Sequence, residues 1–311
     1  MFATTRQVAV RSEIEPGEEA RTGLRILSAT AGAIEQIMNV LVFGQGKSGT
    51  TVIAKTIQHS LPAAVFLMEP KTEEELTRPG AVHTVVKILH GQWQQNLSGL
   101  TGVLRNDSSA RFDRIVKIIR DPRDQAISSF FYNFFTLAQP GAATDEQLDE
   151  VVALIREKEQ SPQTISFASL CGGVNRIMRW RGYSSAWLMT ESGQVTNRTF
   201  WEFLRSLGDT GHLLRYEDFI HGELRQLEMY LGFPLSVRRE LGAYERTRRS
   251  ASAGNWREFF TPEDVEILRP LTADLLVEMG YPDWDLHSVE RLNPDHFSGY
   301  LARLRAEARP R

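Results

Sequence analysis

With 311 residues, 36 Lys and Arg against 39 Asp and Glu, and a formal net charge of −3, the chain has room for one sizeable α/β core. The near-neutral balance excludes a broad nucleic-acid surface, so any anion site must be a local basic pocket. A single cysteine, Cys171, rules out an intrachain disulfide framework and a cysteine-based metal cluster. No apolar run approaches a membrane span and the N-terminus lacks a signal-peptide core, which predicts a protein of the reducing cytoplasm.

Residues 1–38 are mixed and partly acidic, as in "SEIEPGEEARTG", and predict an arm with little regular structure. Short apolar runs then alternate with helical patterns. "VLVFG" (40–44) precedes a helix over 50–60, followed by "AAVFLME" (63–69), "HTVVKIL" (83–89), "RIVKII" (114–119), a helix after Pro122, and "HLLRY" (212–216). This alternation predicts an α/β fold, a central parallel sheet flanked by helices, in one domain over 39–300. Ligands of such sheets bind at the carboxyl ends of the strands. The 139–200 stretch departs from the pattern, being helical with turn signals in "QPGAATD" and "EQSPQT", and is expected as an insertion or lid over the sheet. Residues 301–311 are expected as a tail.

The first strand runs into "GQGKSGTT" (44–51), a glycine-rich turn that opens a helix. A helix N-terminus offers unpaired N–H groups and partial positive charge, and glycines let the backbone approach an anion. Here the amides of Gly46, Lys47, Ser48, Gly49, Thr50 and Thr51 are the expected donors, with the Lys47 ammonium and the three hydroxyls beside them. The nucleoside-triphosphate loop G-x-x-x-x-G-K-[ST] would need glycine at position 41, which is Leu41. This loop is therefore too short for that ligand.

A second anion site is expected where "RIVKIIRDPRDQAISSFFY" (114–132) leaves its strand. Asp121-Pro122 starts a helix, and Arg120 and Ser128 can converge on one phosphate from the strand end and the helix. For Arg123 and Asp124 a surface ion pair is the expected role. No carboxylate cluster suited to magnesium is evident, which counts against a kinase.

With two anion clamps on one sheet, the chain resembles the sulfotransferases that use 3′-phosphoadenosine-5′-phosphosulfate (PAPS). "GKSGTT" (46–51) is similar to their 5′-phosphosulfate loop, and Arg120 with Ser128 to their 3′-phosphate pair. "LLRYEDF" (213–219) and "RRSASAGNWREFFTPED" (248–264) continue the family order. The resemblance implies PAPS as co-substrate with its desulfated product PAP, no metal, and further nucleotide contacts from Tyr216, Arg248, Arg249 and Gly254. Val52 stands where many members have an adenine-stacking tryptophan, and Ser250-Ala251 replaces the family's lysine-glycine.

The resemblance further implies Lys47 at the leaving group and a general base at a strand end. Glu69, in "VFLMEP", is similar to the glutamate of carbohydrate sulfotransferases; His90, in "VVKILHG", lies near the histidine of the phenol and steroid enzymes. The spacing from Lys87 to His90 is one residue longer than the family's lysine-x-histidine, which favours Glu69 and leaves Lys87 to assist. The implied acceptor is a hydroxyl on a small molecule, lipid or carbohydrate, taken from the side of 139–200. The aromatic runs "FFYNFF" (130–135) and "WRGYSSAW" (180–187) suit either an acceptor pocket or a helix core. A kinase-like phosphotransferase and a catalytically silent nucleotide-binding module are the alternatives. No membrane span and no nucleic-acid partner is expected.

Overall fold

Val40 and Val42 project to one side of the first strand and Leu41 and Phe43 to the other, and all four are completely buried. A strand apolar on both faces belongs in the middle of a parallel sheet with helices above and below. The computed structural model, which describes residues 37–178, 191–237 and 242–309, has that arrangement. Strands β1 (Met38–Gly44), β2 (Val65–Met68), β3 (His83–Leu89), β4 (Arg114–Ile119) and β5 (His212–Arg215) pair in the order β2-β3-β1-β4-β5, all parallel. The expected central parallel sheet is thus present, with each strand within two residues of its expected ends. His83 begins β3 at the opposite edge from the site, its Nδ1 accepting from the Met38 amide at 3.1 Å.

The helices in chain order are α1 (Thr50–Ser60), α2 (Leu97–Leu104), α3 (Pro122–Leu137), α4 (Asp145–Gln160), α5 (Phe167–Met178), α6 (Glu191–Ser206), α7 (Tyr216–His221), α8 (Arg225–Leu231), α9 (Trp256–Phe259), α10 (Pro262–Met279) and α11 (Ser298–Ala308). Ile53, Ala54 and Ile57 of α1 and Leu227 and Leu231 of α8 cover the Val40–Val42 face. Phe200 and Leu204 of α6 and Leu275 and Leu276 of α10 cover the Leu41–Phe43 face.

A separate helical layer joins α3, α4, α5, α9 and α11 around Phe131, Phe167, Phe259 and Tyr300. The 139–200 region is accordingly divided rather than laid over the sheet as a lid. Its first two helices build this layer and α6 covers a sheet face, while 180–187 lies outside the described residues. Within the stretch expected as a tail, Leu301, Leu304 and Ala308 of α11 are buried in the same layer, while 310–311 lie outside the described residues. Arg305 adds contacts to Asp145 at 2.5 Å and Asp149 at 2.6 Å. These surface pairs are exposed enough to contribute little beside the apolar contact.

The burial of α11 makes a direct prediction. Leu304→Ala leaves a cavity in a closed layer and should cost about 2–5 kcal/mol in denaturant unfolding. A loss under ~1 kcal/mol would show that α11 does not support the domain.

Candidate active site

Because the strands are parallel, the residues that follow them gather at one edge. Gln45, Glu69, His90, Arg120 and Tyr216 each come directly after a strand. A cavity of about 700 Å³ opens along this edge. Its walls include Gly46, Lys47, Gly49, Thr50 and Thr51 from the first turn, Glu69 and Lys87, Arg120, Ser128 and Tyr132, Tyr216, and the run Arg246–Ala251.

The turn after β1 is built by close approach. A Cβ on Gly44 would meet Thr50 Cγ2 at 2.8 Å and the Ile118 carbonyl at 3.0 Å. Gly49 has φ +90°, and a Cβ there would lie 2.1 Å from the Tyr216 ring. Only glycine meets both demands at that position. No side chain caps α1, and its first turn has no acidic residue, so its amides retain their positive end toward the cavity. The Ser48 hydroxyl is an exception to the expected donor set: it donates to the Gln45 carbonyl at 2.8 Å and does not line the cavity. Thr50 and Thr51 do line it.

Cations dominate the walls. Lys47, itself in the left-handed region at φ +65°, donates to the Thr247 carbonyl at 3.1 Å, with its ammonium 3.8 Å from the Tyr132 ring centroid. Loss of solvation, then Arg120, Lys87, Arg249 and Arg246, hold its pKa well below the usual lysine range. Arg120 is only 6% exposed and Arg249 4%. Arg120 stacks on Tyr216 at 4.5 Å and donates to the Lys47 carbonyl at 3.1 Å. Its Nε finds no hydrogen-bond partner among the described residues, nor do Nε and Nη2 of Arg249. Burial, then repulsion by Arg120, lowers Arg249 to about 10. It stays charged at neutral pH, and its unfavourable contribution to folding is relieved only above about pH 10.

The counter-charge is Asp124, 0% exposed and 3.8 Å from Arg120. Sequence analysis expected it in a surface pair with Arg123, and the structure overturns that. Asp124 accepts from the amides of Gly254 at 2.6 Å and Trp256 at 3.0 Å, tying α3 to the loop that carries Arg249. Burial raises its pKa, and Arg120 opposes the rise. Arg123 is buried too, paired with Asp121 at 2.7 Å and stacked on Trp256 at 3.7 Å. Gly254 therefore holds Asp124 and does not reach the cavity. Arg248 lines the cavity and pairs with Glu245 at 2.7 Å. Arg120 and Ser128 both line the cavity.

Glu69, also on the cavity lining, has φ +54°, unusual for a residue other than glycine and worth about 1–3 kcal/mol of strain. Its amide donates to the Lys87 carbonyl at 2.8 Å. One carboxylate oxygen accepts from the Lys87 ammonium and the other from Gln92 Nε2 at 2.6 Å. Burial lowers the Lys87 pKa, with Glu69 acting against it. His90 is placed differently from its rival. It is 1% exposed, caged by Phe43, Phe200 and Phe203 at centroid distances of 6.3, 5.3 and 5.3 Å, and absent from the cavity wall. Neither ring nitrogen has a hydrogen-bond partner among the described residues, and burial lowers its pKa.

Asp124, Gln92, Tyr132 and Arg246 are site residues that sequence reasoning missed. Asp124 and Tyr132 carried a usable signal, since both fall on the Arg120 and Ser128 side of one helix at spacings of four. Gln92 and Arg246 had none. Among the described residues no three His, Cys, Asp or Glu side chains gather as metal ligands, and no helix is long and apolar enough to cross a membrane.

No protein-family model and no curated protein matches the chain. Solved structures similar to it include mouse sulfotransferase SULT7A1 complexed with PAP, at 14% identity over 85% of this chain and 92% of that one, with a TM-score of 0.42. Retinol dehydratase in complex with androsterone and inactive cofactor PAP is similar at 16% identity over 82% and 85%, TM-score 0.40. The complex of retinol dehydratase with retinol and PAP gives 17% over 86% and 88%, TM-score 0.41. Similarity at this level assigns no activity to this chain.

Arg249 gives a prediction about stability, since its Nη1 donates to the His296 carbonyl at 3.3 Å while Nε and Nη2 have no partner among the described residues. Arg249→Met removes a buried charge with two unmet donors, so the ligand-free protein should melt at a higher temperature. The same variant should lose most of the melting-temperature gain that PAP gives the parent. A lower melting temperature without PAP would show that Arg249 is already compensated within the fold.

Proposed function

We propose that this chain is a sulfotransferase that moves the sulfuryl group of PAPS to a hydroxyl of a small molecule, lipid or carbohydrate. The observation that carries the reading is the pair of buried arginines, Arg120 and Arg249, whose unmet donors lie beside a glycine turn too short for a triphosphate. A buried guanidinium with unmet donors is costly unless an anion completes it. Two anion sites on one wall, the amino end of α1 with Lys47 and the Arg120–Ser128–Arg249 cluster, suit a nucleotide phosphorylated at two separate places. A lone cysteine suits the cytoplasm as the compartment.

The opposite wall supplies acceptor chemistry. Glu69 lines the cavity and takes the acceptor proton as the oxygen–sulfur bond forms, while Lys47 offsets charge on the departing phosphate oxygen. Lys87 holds one oxygen of the Glu69 carboxylate. His90, sealed among aromatic rings, has no part in proton transfer. Holding acceptor and donor in line provides much of the remaining rate.

Calorimetry with PAP and with ATP, both without divalent metal, tests the reading. PAP should bind and ATP should bind far more weakly. Arg120→Ala should weaken PAP by about 30- to 150-fold, corresponding to roughly 2–3 kcal/mol for a charge-assisted pair. Preference for ATP with magnesium would favour a phosphotransferase instead.

A second test uses labelled PAPS and an acceptor found by unbiased screening. Glu69→Gln should lower turnover by roughly 10²–10⁴ with PAP affinity unchanged, and His90→Ala should leave most turnover intact. The reverse order of damage would move the base to His90. PAP binding with no transfer to any acceptor would favour a silent nucleotide-binding module.

A further inference from the structure

We infer that Gln92 is the positioning residue for Glu69, acting from the turn that follows β3. The inference deepens the proposed function, and therefore rests on it. Three contacts converge on the Glu69–Pro70 segment from the β3 side. The Glu69 amide donates to the Lys87 carbonyl at 2.8 Å, Gln92 Nε2 donates to Glu69 Oε2 at 2.6 Å, and Trp93 Nε1 donates to the Pro70 carbonyl at 3.1 Å. Trp93 is buried, and its own amide donates to the His90 carbonyl at 3.1 Å, which closes the turn. The caged ring of His90 thus anchors the turn that presents Gln92.

The geometry gives Gln92 a task that a generic packing residue would not have. Glu69 is held at positive φ, so its backbone alone favours other conformations. Lys87 grips one carboxylate oxygen; a single grip leaves the group free to swing about that contact. Gln92 grips the second oxygen and fixes the plane of the carboxylate. The amide orientation follows from chemistry, because an ionised carboxylate only accepts, and the reversed amide would set oxygen against oxygen. In that orientation Gln92 Oε1 is buried with no partner among the described residues. An apolar wall residue would incur no such penalty. The charged group in contact with Glu69 is Lys87, with Lys47 and Arg246 elsewhere on the cavity wall.

The test needs no knowledge of the acceptor. Glutamate is labelled with ¹³C at the side-chain carboxyl, and the Glu69 signal is assigned by its loss in Glu69→Gln. In the full-length Gln92→Leu protein the Glu69 carboxyl signal should change its chemical shift at neutral pH, because one of its oxygens has lost its donor. PAP affinity should stay at the parent value, since Gln92 does not line the cavity. With a screened acceptor, kcat should fall about tenfold with KM for PAPS unchanged, and Gln92→Asn should fall between parent and Gln92→Leu. An unmoved Glu69 carboxyl signal in Gln92→Leu overturns the inference, as does a loss of turnover matched by an equal loss in PAP affinity. A parent protein that binds no PAP overturns the proposed function instead. In that case a moved Glu69 carboxyl signal still establishes the contact.

Discussion

The structure turns on positive charge buried at the carboxyl edge of a parallel sheet. Arg120 follows β4, Arg249 comes from a loop after α8, and both are almost inaccessible while retaining unmet donors. Like charges this close repel, and Asp124, the buried carboxylate 3.8 Å from Arg120, does not by itself balance two guanidinium groups. The fold tolerates the imbalance by giving each arginine a polarisable face. Tyr216 lies 4.5 Å from Arg120, and Phe297 5.1 Å from Arg249. Such contacts contribute about 0.5–2 kcal/mol each, which reduces the deficit without closing it. The deficit that remains is what an anion of the proposed kind would close.

Holding that arrangement before any anion arrives explains the helical layer. Arg249 lies on an irregular stretch, and irregular backbone wanders unless anchored. Asp124 anchors it by accepting from Gly254 and Trp256, and Trp256 in turn packs on Arg123 and Trp284. Phe131 and Phe134 on the same helix as Asp124 are buried against α9 and α11. Helix α3 therefore has two faces with different tasks: Asp124, Ser128 and Tyr132 toward the cavity loop, and the phenylalanines toward the layer. The C-terminal helix matters for the same reason, since Tyr300 donates to the Arg246 carbonyl at 2.6 Å and steadies the start of the cation-bearing run.

Much of this was legible from the chain alone, and the part that was not has a physical cause. The strands were visible because a doubly buried strand is a nearly continuous apolar run, and "VLVF" and the Ile/Val-rich "RIVKII" have few other uses. Arg120 and Glu69 were visible because parallel topology delivers whatever follows a strand to the binding edge. Asp124 was misplaced because a charged residue one helical position from another charge reads locally as a surface pair. Only the tertiary contact with residues 130 positions later reveals its burial. Gln92 was invisible for a similar reason: its partner is 23 residues away, and a lone glutamine between turns has no pattern. Residues 301–311 read as a tail because a short stretch rich in arginine looks solvated; within it Leu301, Leu304 and Ala308 are buried on one narrow stripe of α11.

Glu69 and His90 follow adjacent strands, β2 and β3, and both stand at strand ends where a base is expected, with the spacing from Lys87 favouring Glu69. Burial separates them. A general base has to reach the acceptor and accept a proton without a large cost, so it needs contact with the cavity and partners that steady its charge. Glu69 has both, with Lys87 and Gln92 on its oxygens and its side chain on the cavity wall. His90 has neither. Its nitrogens face aromatic rings, its pKa is lowered by that burial, and protonation there would place a charge among Phe43, Phe200 and Phe203 with no acceptor among the described residues. Aromatic faces return only part of the hydration a charged imidazole gives up. The extra residue between Lys87 and His90 has a structural meaning in this light. Alternation along β3 sends Lys87 toward Glu69, and the three-residue step carries His90 to the other face of the sheet, where Phe43 and α6 already lie. A histidine two residues after Lys87 would have shared its face and its view of the cavity; that position is Leu89, which lines the wall as an apolar neighbour instead.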